Sequence, residues 1–536
     1  MPVRILVTDR VNPVGIALLE ETPGFEVDVE PTLPPDVLRQ RVGEYDAIIG
    51  RSATSITADL LQASGRLRCI GRAGVGVDNV DMEEATRLGV AVINAPAGNT
   101  VAVAELFFGA VIGLLRNLGR ADRSMREGRW DRSALTGTEL KGKTLGIVGL
   151  GRIGSEVARR AHAFGMTLTA FDPYASDDRF QRNRAERAPT LEALMAGADV
   201  VTVHTPLNKE TRGMIGATQL AALRDGSVLV NMARGGIIDE EALLAELAKE
   251  RLRGAVLDVY STEPLEGEHP FRDRPDVVLT PHLGASTMES QRNVAVDVCA
   301  GVRDFLLHDD LSRSLNVEVG GADTDALPAA LRLARRAASI ARALLSTRGA
   351  RAVSALTLST GNDFASAGPV LLSAAAAGVL ENVVDAGRLN LINARQVASE
   401  RGIELRLGSG SKAPHLRAIE VRVQAGDEEV RIGGVAPLDA DPRLTRIADF
   451  HVDVTPRRTL MVLHNRDVPG VIGRVGTLLG NAGVNIAEYH QARMAQGGEA
   501  LAVVTLDGPP PPEASAQLLE LPDISRVTVV SFRGDD

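Results

Sequence analysis

An arginine, a glutamate and a histidine each follow a strand-like apolar run: Arg234 after residues 228–230, Glu263 after 255–259 and His282 after 277–280. In an open α/β sheet ligands bind at the carboxyl ends of strands, so three such residues can meet in one crevice although they are far apart in sequence. Arginine grips a carboxylate with a two-pronged fork, histidine moves a proton near neutral pH, and glutamate orients and charges that histidine. This is equipment for oxidising a 2-hydroxy acid. Singly, each residue has a duller use: Arg234 as a cap or ion-pair partner, Glu263 as a solvated loop acid, His282 as one of nine histidines. Their joint order, with Pro281 and Gly284 fixing the histidine loop, favours catalysis.

A second set of residues points to a dinucleotide. Residues 145–148 run as a strand into Gly149-Leu150-Gly151-Arg152-Ile153-Gly154, a helix follows, and a strand at 167–171 ends at Asp172. The glycines allow a tight turn and let backbone N–H groups approach a pyrophosphate at the helix N-terminus. Asp172 would accept bonds from the adenosine ribose hydroxyls and repel a 2′-phosphate, favouring NAD over NADP. Another glycine cluster, residues 71–76, has no helix start at the right place. Its better use is to offer the backbone N–H groups of Gly74 and Val75 to a substrate carboxylate beside Arg72. The loop from Gly408 to Lys412 lacks phosphate-loop spacing and reads as a turn.

Strand runs at 4–8, 47–50, 67–71 and 90–94 alternate with helical patterns, as in βαβ units. A long apolar helix is expected at 100–118, suited to a dimer interface, and another at 286–308 that returns to the first domain. The expected division is 1–98 (with 286–316) for substrate, 99–285 for the nucleotide, 317–453 as an α+β intervening domain and 458–536 as a ferredoxin-like βαββαβ unit. The fold class is therefore α/β, with Rossmann-type doubly wound parallel sheets in the first two domains. Cutting the chain near residue 455 is expected to leave the chemistry in place.

With 536 residues and a net charge of −10, the chain is unsuited to nucleic acid. Two cysteines, Cys69 and Cys299, fit a reducing compartment and no disulfide framework. No histidine, cysteine or acidic cluster has metal spacing. The N-terminus reads as a strand rather than a signal peptide, and the apolar stretch around 101–115 is too short to span a bilayer. A soluble cytoplasmic protein, away from membranes, is expected.

The chain resembles the D-isomer-specific 2-hydroxyacid dehydrogenases. The resemblance rests on residues 71–80, 149–154, His204-Thr205-Pro206-Leu207, 231–236, 258–264 and 281–286, and spans residues 1 to about 316. Arg51-Ser52-Ala53-Thr54 and Arg72 resemble the ligands of a phosphorylated substrate. Asp467-Val468-Pro469-Gly470 and Gly483-Val484-Asn485 resemble an ACT domain, a module that binds amino acids, and 317–453 resembles the intervening domain of the family's long-chain members. The resemblance implies NAD-dependent oxidation of 3-phosphoglycerate to 3-phosphohydroxypyruvate, on the route to L-serine. It implies His282 as base, Glu263 as its partner and Arg234 on the carboxylate. It also implies Arg152, Ile153, Thr205, Pro206 and Asp258 around the cofactor, and Arg51, Arg72, Asn99 and Arg132 around substrate. Asn465, Asp467 and Asn485 would hold L-serine between two ACT units of a homodimer or homotetramer, unless that unit serves assembly alone. Two other uses stay open: reduction of glyoxylate or hydroxypyruvate, and an NAD-sensing scaffold.

Overall fold

Short apolar strands separated by helices produce two parallel sheets in succession. The structure, a computed structural model, describes residues 2–532 except 321–324, 351, 382, 384–388, 409–414 and 439. Most of the expected linker at 320–325, and the loop from Gly408 to Lys412 beyond its first residue, thus lie outside the described residues.

The first sheet orders its strands Phe25–Val29, Val3–Val7, Ala47–Gly50, Cys69–Arg72 and Ala91–Asn94, all parallel. Apolar cores cover both faces, which is why the inner strands read as unbroken apolar runs. The strand Phe25–Val29 was not expected. It lies at the edge, where Glu26 and Asp28 alternate with apolar neighbours and give a weak strand signal.

The second sheet runs Val277–Leu279, Gly254–Leu257, Val228–Asn231, Val200–Val203, Thr144–Val148, Thr167–Phe171 and Glu186–Arg187, again parallel with a core on each face. Before it stands the helix Thr100–Leu115, largely buried. The expected helix to residue 118 breaks early. Asn117 adopts a left-handed conformation (φ 54°), and a second helix, Leu118–Arg126, leaves at 61°. Among the described residues no single helix is long and apolar enough to cross a membrane. The helix Met288–His308 returns to the first sheet and packs against Pro13–Glu20, with Ala295 pressed on Gly15.

The remainder forms two further sheets with one joint core. A six-stranded, mostly antiparallel sheet includes Ala355–Thr360, Ala418–Ala425 and Glu428–Val435, and the helices Leu327–Thr347 and Gly368–Leu380 pack on it. Its strands Glu404–Leu407, Arg443–Ile447 and Phe450–Val454 were not anticipated. The last sheet orders Ile486–Arg493, Glu499–Leu506, Thr459–Arg466 and Ile524–Ser531, the ferredoxin-like order. Its helices, Val471–Asn481 and Pro512–Leu519, accompany one core. On the other side Leu460, Val462, Leu501, Val503 and Val530 belong to the same core as Leu333, Ile340 and Leu344 of Leu327–Thr347. Thr347 and Thr528 share a hydrogen bond of 2.8 Å across this seam.

Candidate active site

The strand Thr144–Val148 ends at Gly149, whose φ of 92° suits glycine and where a Cβ would lie 2.8 Å from the His204 carbonyl oxygen. The helix Arg152–Ala163 starts at Gly151 with no side-chain cap, so its first N–H groups stay available to an anion. Gly154 must be bare as well, since a Cβ there would meet the Gly149 carbonyl oxygen at 2.2 Å. Arg152 is exposed and Ile153 half-buried at this helix start. Asp172 receives Leu150 N–H at 2.9 Å on one oxygen and the N–H groups of Tyr174 and Ala175 at 3.0 and 3.1 Å on the other. The carboxylate is thereby fixed against the glycine loop. Thr205 Oγ1 is buried without a partner among the described residues, and Pro206 is exposed beside it. A bare glycine turn, an uncapped helix start, a fixed acid and an orphaned hydroxyl fit a dinucleotide.

His204 closes this region from below. Its Nε2 lies 3.0 Å from Thr202 Oγ1, its Nδ1 is buried without a partner among the described residues, and burial pushes its pKa down to about 3. It is a neutral imidazole at physiological pH.

Between the two parallel sheets lies a cavity of about 580 Å³. It is lined by Arg51, Arg72, Gly74, Val75, Asn99, Arg234, Glu263 and His282 from the expected set. His282 Nδ1 is 2.6 Å from Glu263 Oε2, and the other Glu263 oxygen accepts Tyr260 N–H at 3.0 Å. Arg234 is held at Nε by Asp78 at 2.8 Å and at Nη1 by the Ala233 carbonyl at 2.6 Å. Arg72 is largely buried, its Nε without a partner among the described residues. Burial, with the charges of Arg234 and Arg51 nearby, pushes its pKa down to about 10. Asn99 Oδ1 is likewise buried and free of partners among the described residues.

The cluster at residues 71–76 explains its own glycines. A Cβ on Gly74 would lie 1.3 Å from Arg72 Nη1, and one on Gly76 would lie 1.7 Å from Arg234 Nη2. The backbone therefore serves as a seat for two guanidinium groups.

Asp258 stands apart from this cavity. Fully buried, it accepts Thr280 Oγ1–H at 2.6 Å and the N–H groups of Leu283 and Gly284 at 2.7 and 2.9 Å. Its carboxylate thus holds the loop that carries His282. Arg132, in a short 3-10 turn at Arg132–Leu135, is not among the cavity's lining residues. Asn465 and Asp467 sit at one end of the last sheet, where Asn465 Oδ1 accepts from Gln491 and Asp467 accepts Gly497 N–H at 3.1 Å. Asn485 lies at the opposite end, bonded to Asp507 at 2.5 Å, so within one chain the three do not converge.

Several lining residues were given no role in the sequence reading: Arg10, Asp78, Asn79 and Gln291. Asp78 and Asn79 had a signal, because they directly follow the glycine cluster. Asn79 Nδ2 donates to the carbonyls of Arg51 and Thr54 at 2.9 and 2.6 Å and so shapes the Arg51 loop. Asp9 supports that loop from beneath, accepting Arg51 N–H at 2.6 Å and Thr54 Oγ1–H at 2.9 Å. Among the described residues no group of acidic, histidine or cysteine side chains could hold a metal.

Residues 108–284 match the family model for the NAD binding domain of D-isomer specific 2-hydroxyacid dehydrogenases, and 458–523 match the ACT domain. The chain is 38% identical over 511 residues to D-3-phosphoglycerate dehydrogenase of Synechocystis sp., across 95% of this chain and 91% of that one. It is 37% identical over 531 residues to the protein of that name from Bacillus subtilis, covering 99% of each. Among solved structures, an NAD-dependent formate dehydrogenase from Staphylococcus aureus in complex with NAD is 29% identical with a TM-score of 0.51, over 57% of this chain and 96% of that one. The chain belongs to the D-3-phosphoglycerate dehydrogenase family, NAD-dependent oxidoreductases of the D-isomer-specific 2-hydroxyacid type, and ends in an ACT domain.

Proposed function

We propose that the cavity between the two parallel sheets oxidises 3-phospho-D-glycerate to 3-phosphohydroxypyruvate. The observation that carries this is the His282–Glu263 pair facing a wall with four arginines, Arg10, Arg51, Arg72 and Arg234, against two acids, Asp78 and Glu263. An unphosphorylated 2-hydroxy acid would leave much of that positive charge unmatched, whereas a carboxylate and a phosphate together suit it. Residues 149–154, Asp172 and Thr205 would hold NAD, which would supply the hydride acceptor.

With Glu263 accepting from Nδ1–H, His282 carries its lone pair on Nε2, the atom that would take the proton from the C2 hydroxyl. The imidazolium so formed keeps the Glu263 carboxylate at 2.6 Å, which stabilises it as the charge develops. Arg234 Nη2 makes no hydrogen bond among the described residues and would hold the substrate carboxylate and polarise the C2 oxygen. Arg72 and the Val75 N–H would take the remaining carboxylate contacts, since the Gly74 N–H expected beside them already donates to the Arg72 carbonyl at 2.8 Å, and Arg51 would take the phosphate. Asp258, by tying down residues 280–284, keeps the His282 loop in place. The ACT unit would bind an amino acid, for which L-serine is the candidate, and its candidate ligands Asn465 and Asp467 would meet Asn485 only from a second copy.

The test is NADH formation, followed by absorbance, from NAD and 3-phosphoglycerate, with and without L-serine. Turnover establishes the substrate, and suppression by serine establishes the effector. Turnover that ignores serine removes serine from the ACT unit and keeps the enzyme.

A further inference from the structure

We propose that Asp78 is a positioning residue for Arg234, an inference that rests on the substrate reading above. Asp78 belongs to the first sheet's side of the cavity and Arg234 to the second's. Their side chains nonetheless meet at 2.8 Å across 156 residues of sequence. Arg234 follows the strand Val228–Asn231, and Asn231 Nδ2 donates to the Arg234 carbonyl at 2.9 Å, which fixes the backbone. The long side chain then has to be aimed. Asp78 takes Nε, the Ala233 carbonyl takes Nη1, and Gly76 leaves the space in which Nη2 lies. Two hydrogen bonds and one bare glycine therefore orient the guanidinium, and Nη2 is the nitrogen left to meet a substrate carboxylate.

The pair is not there for stability. Asp78's side chain is 54% exposed and Arg234's 26%, and ion pairs so exposed contribute little to folding. Nor is Asp78 placed to attract substrate, because its charge opposes an anion. Two effects with opposite signs follow from one carboxylate. It repels the ligand as a charge, and it aims the arginine as a hydrogen-bond acceptor. Removing it should leave anion capture intact or tighter while chemistry suffers, a split that a merely structural role would not produce.

The experiment is a double-mutant cycle with Asp78→Asn, Arg234→Lys and the pair, assayed with 3-phosphoglycerate and NAD. NADH binding by fluorescence and inhibition by inorganic phosphate are measured alongside. Asp78→Asn should lower kcat by about tenfold or more, the scale of one hydrogen bond to a charged group. Phosphate inhibition should stay unchanged or strengthen, and NADH affinity should hold. In the Arg234→Lys background the same substitution should cost less than about twofold, the limit of coupling between independent sites. A kcat within about twofold of wild type, an equal loss in both backgrounds, or a parallel loss of NADH affinity would each overturn the role. A wild type that ignores 3-phosphoglycerate but oxidises another 2-hydroxy acid refutes the substrate reading and leaves the cycle readable on that acid. A wild type inert toward every 2-hydroxy acid refutes both.

Discussion

Glu263 and His282 lie 2.6 Å apart although they leave different strands, and the same carboxylate accepts the N–H of Tyr260, three residues back in its own loop. Tyr260 closes the arrangement from below, donating its hydroxyl toward the carbonyls of Leu257 and Thr280 at 3.0 Å each. The imidazole and its carboxylate partner are thus braced by one tyrosine that touches both loops. His282→Gln should lower kcat by a factor of about a hundred to ten thousand while NADH still binds. Glu263→Gln keeps the shape and removes the charge, so its loss should be smaller, about ten- to a hundredfold. Stopped turnover assays with separate fluorescence titrations read both, and a Glu263→Gln loss as deep as that of His282→Gln would contradict an orienting role.

Asp172 gives a separate test of the nucleotide site. Its two oxygens already bind three backbone N–H groups, which hold the negative charge where a ribose would arrive. Asp172→Ala should weaken NAD by about tenfold, since a charge-assisted bond is removed, and NADP should gain relative to NAD. Unchanged KM values for both cofactors would move the ribose contact elsewhere.

The order of strand, loop and functional residue was open to reading because parallel strands buried on both faces leave apolar runs in the sequence. Residues 228–230 and 255–259 announced the positions of Arg234 and Glu263 in this way. Phe25–Val29 gave no such run, because an edge strand has one wet face and its Glu26 and Asp28 obscured it. Asp78 and Arg234 meet through the placement of two sheets, for which no local pattern exists. Arg10 and Asp9 follow a strand that was seen, yet only the fold brings them beside Arg51. The bend at Asn117 depends on one left-handed residue in an otherwise helical stretch, where helical periodicity continues through it.

Acid should unfold the protein earlier than its carboxylates require. Burial holds His204 down to about 3, and burial with nearby Arg526 and Arg348 holds His464 down to about 4, both from an ordinary 6.5. The unfolded chain therefore takes up protons below about pH 6.5 that the folded chain refuses. Stability is complete above that pH and falls as pH drops toward 4 and 3. Between about pH 6.5 and 5 most carboxylates are still charged, so the histidines dominate there. A His204→Gln, His464→Gln variant should show a flatter decline of Tm across this window than wild type. An identical slope would place the sensitivity in other groups.

The joint core of the last two sheets changes what a truncation does. Cutting near residue 455 was expected to spare the chemistry, and the shared core adds a cost in stability to that expectation. Leu460, Val462, Leu501, Val503 and Val530 share one core with Leu333, Ile340 and Leu344, and Arg336 donates to the Pro456 carbonyl at 2.5 Å while lying over the Phe532 ring at 5.3 Å. Each buried Leu or Val contributes about 1.5–3 kcal/mol, and a whole domain is stable by only about 5–15 kcal/mol. A chain ending at 455 should therefore bind a hydrophobic dye strongly and melt well below the full chain. The link from the region of the six-stranded sheet to the first sheet is slighter: Ile392 enters its core, and Asn390 and Asn393 donate to the carbonyls of Gly89 and Arg87 at 2.7 and 3.3 Å. A chain ending at 316 removes both C-terminal sheets together and should expose less apolar surface than the chain ending at 455, although it is shorter. Dye fluorescence and Tm of the two truncations, side by side, decide the matter: a 455 truncation as dye-silent and heat-stable as the full chain would mean that the two sheets fold apart.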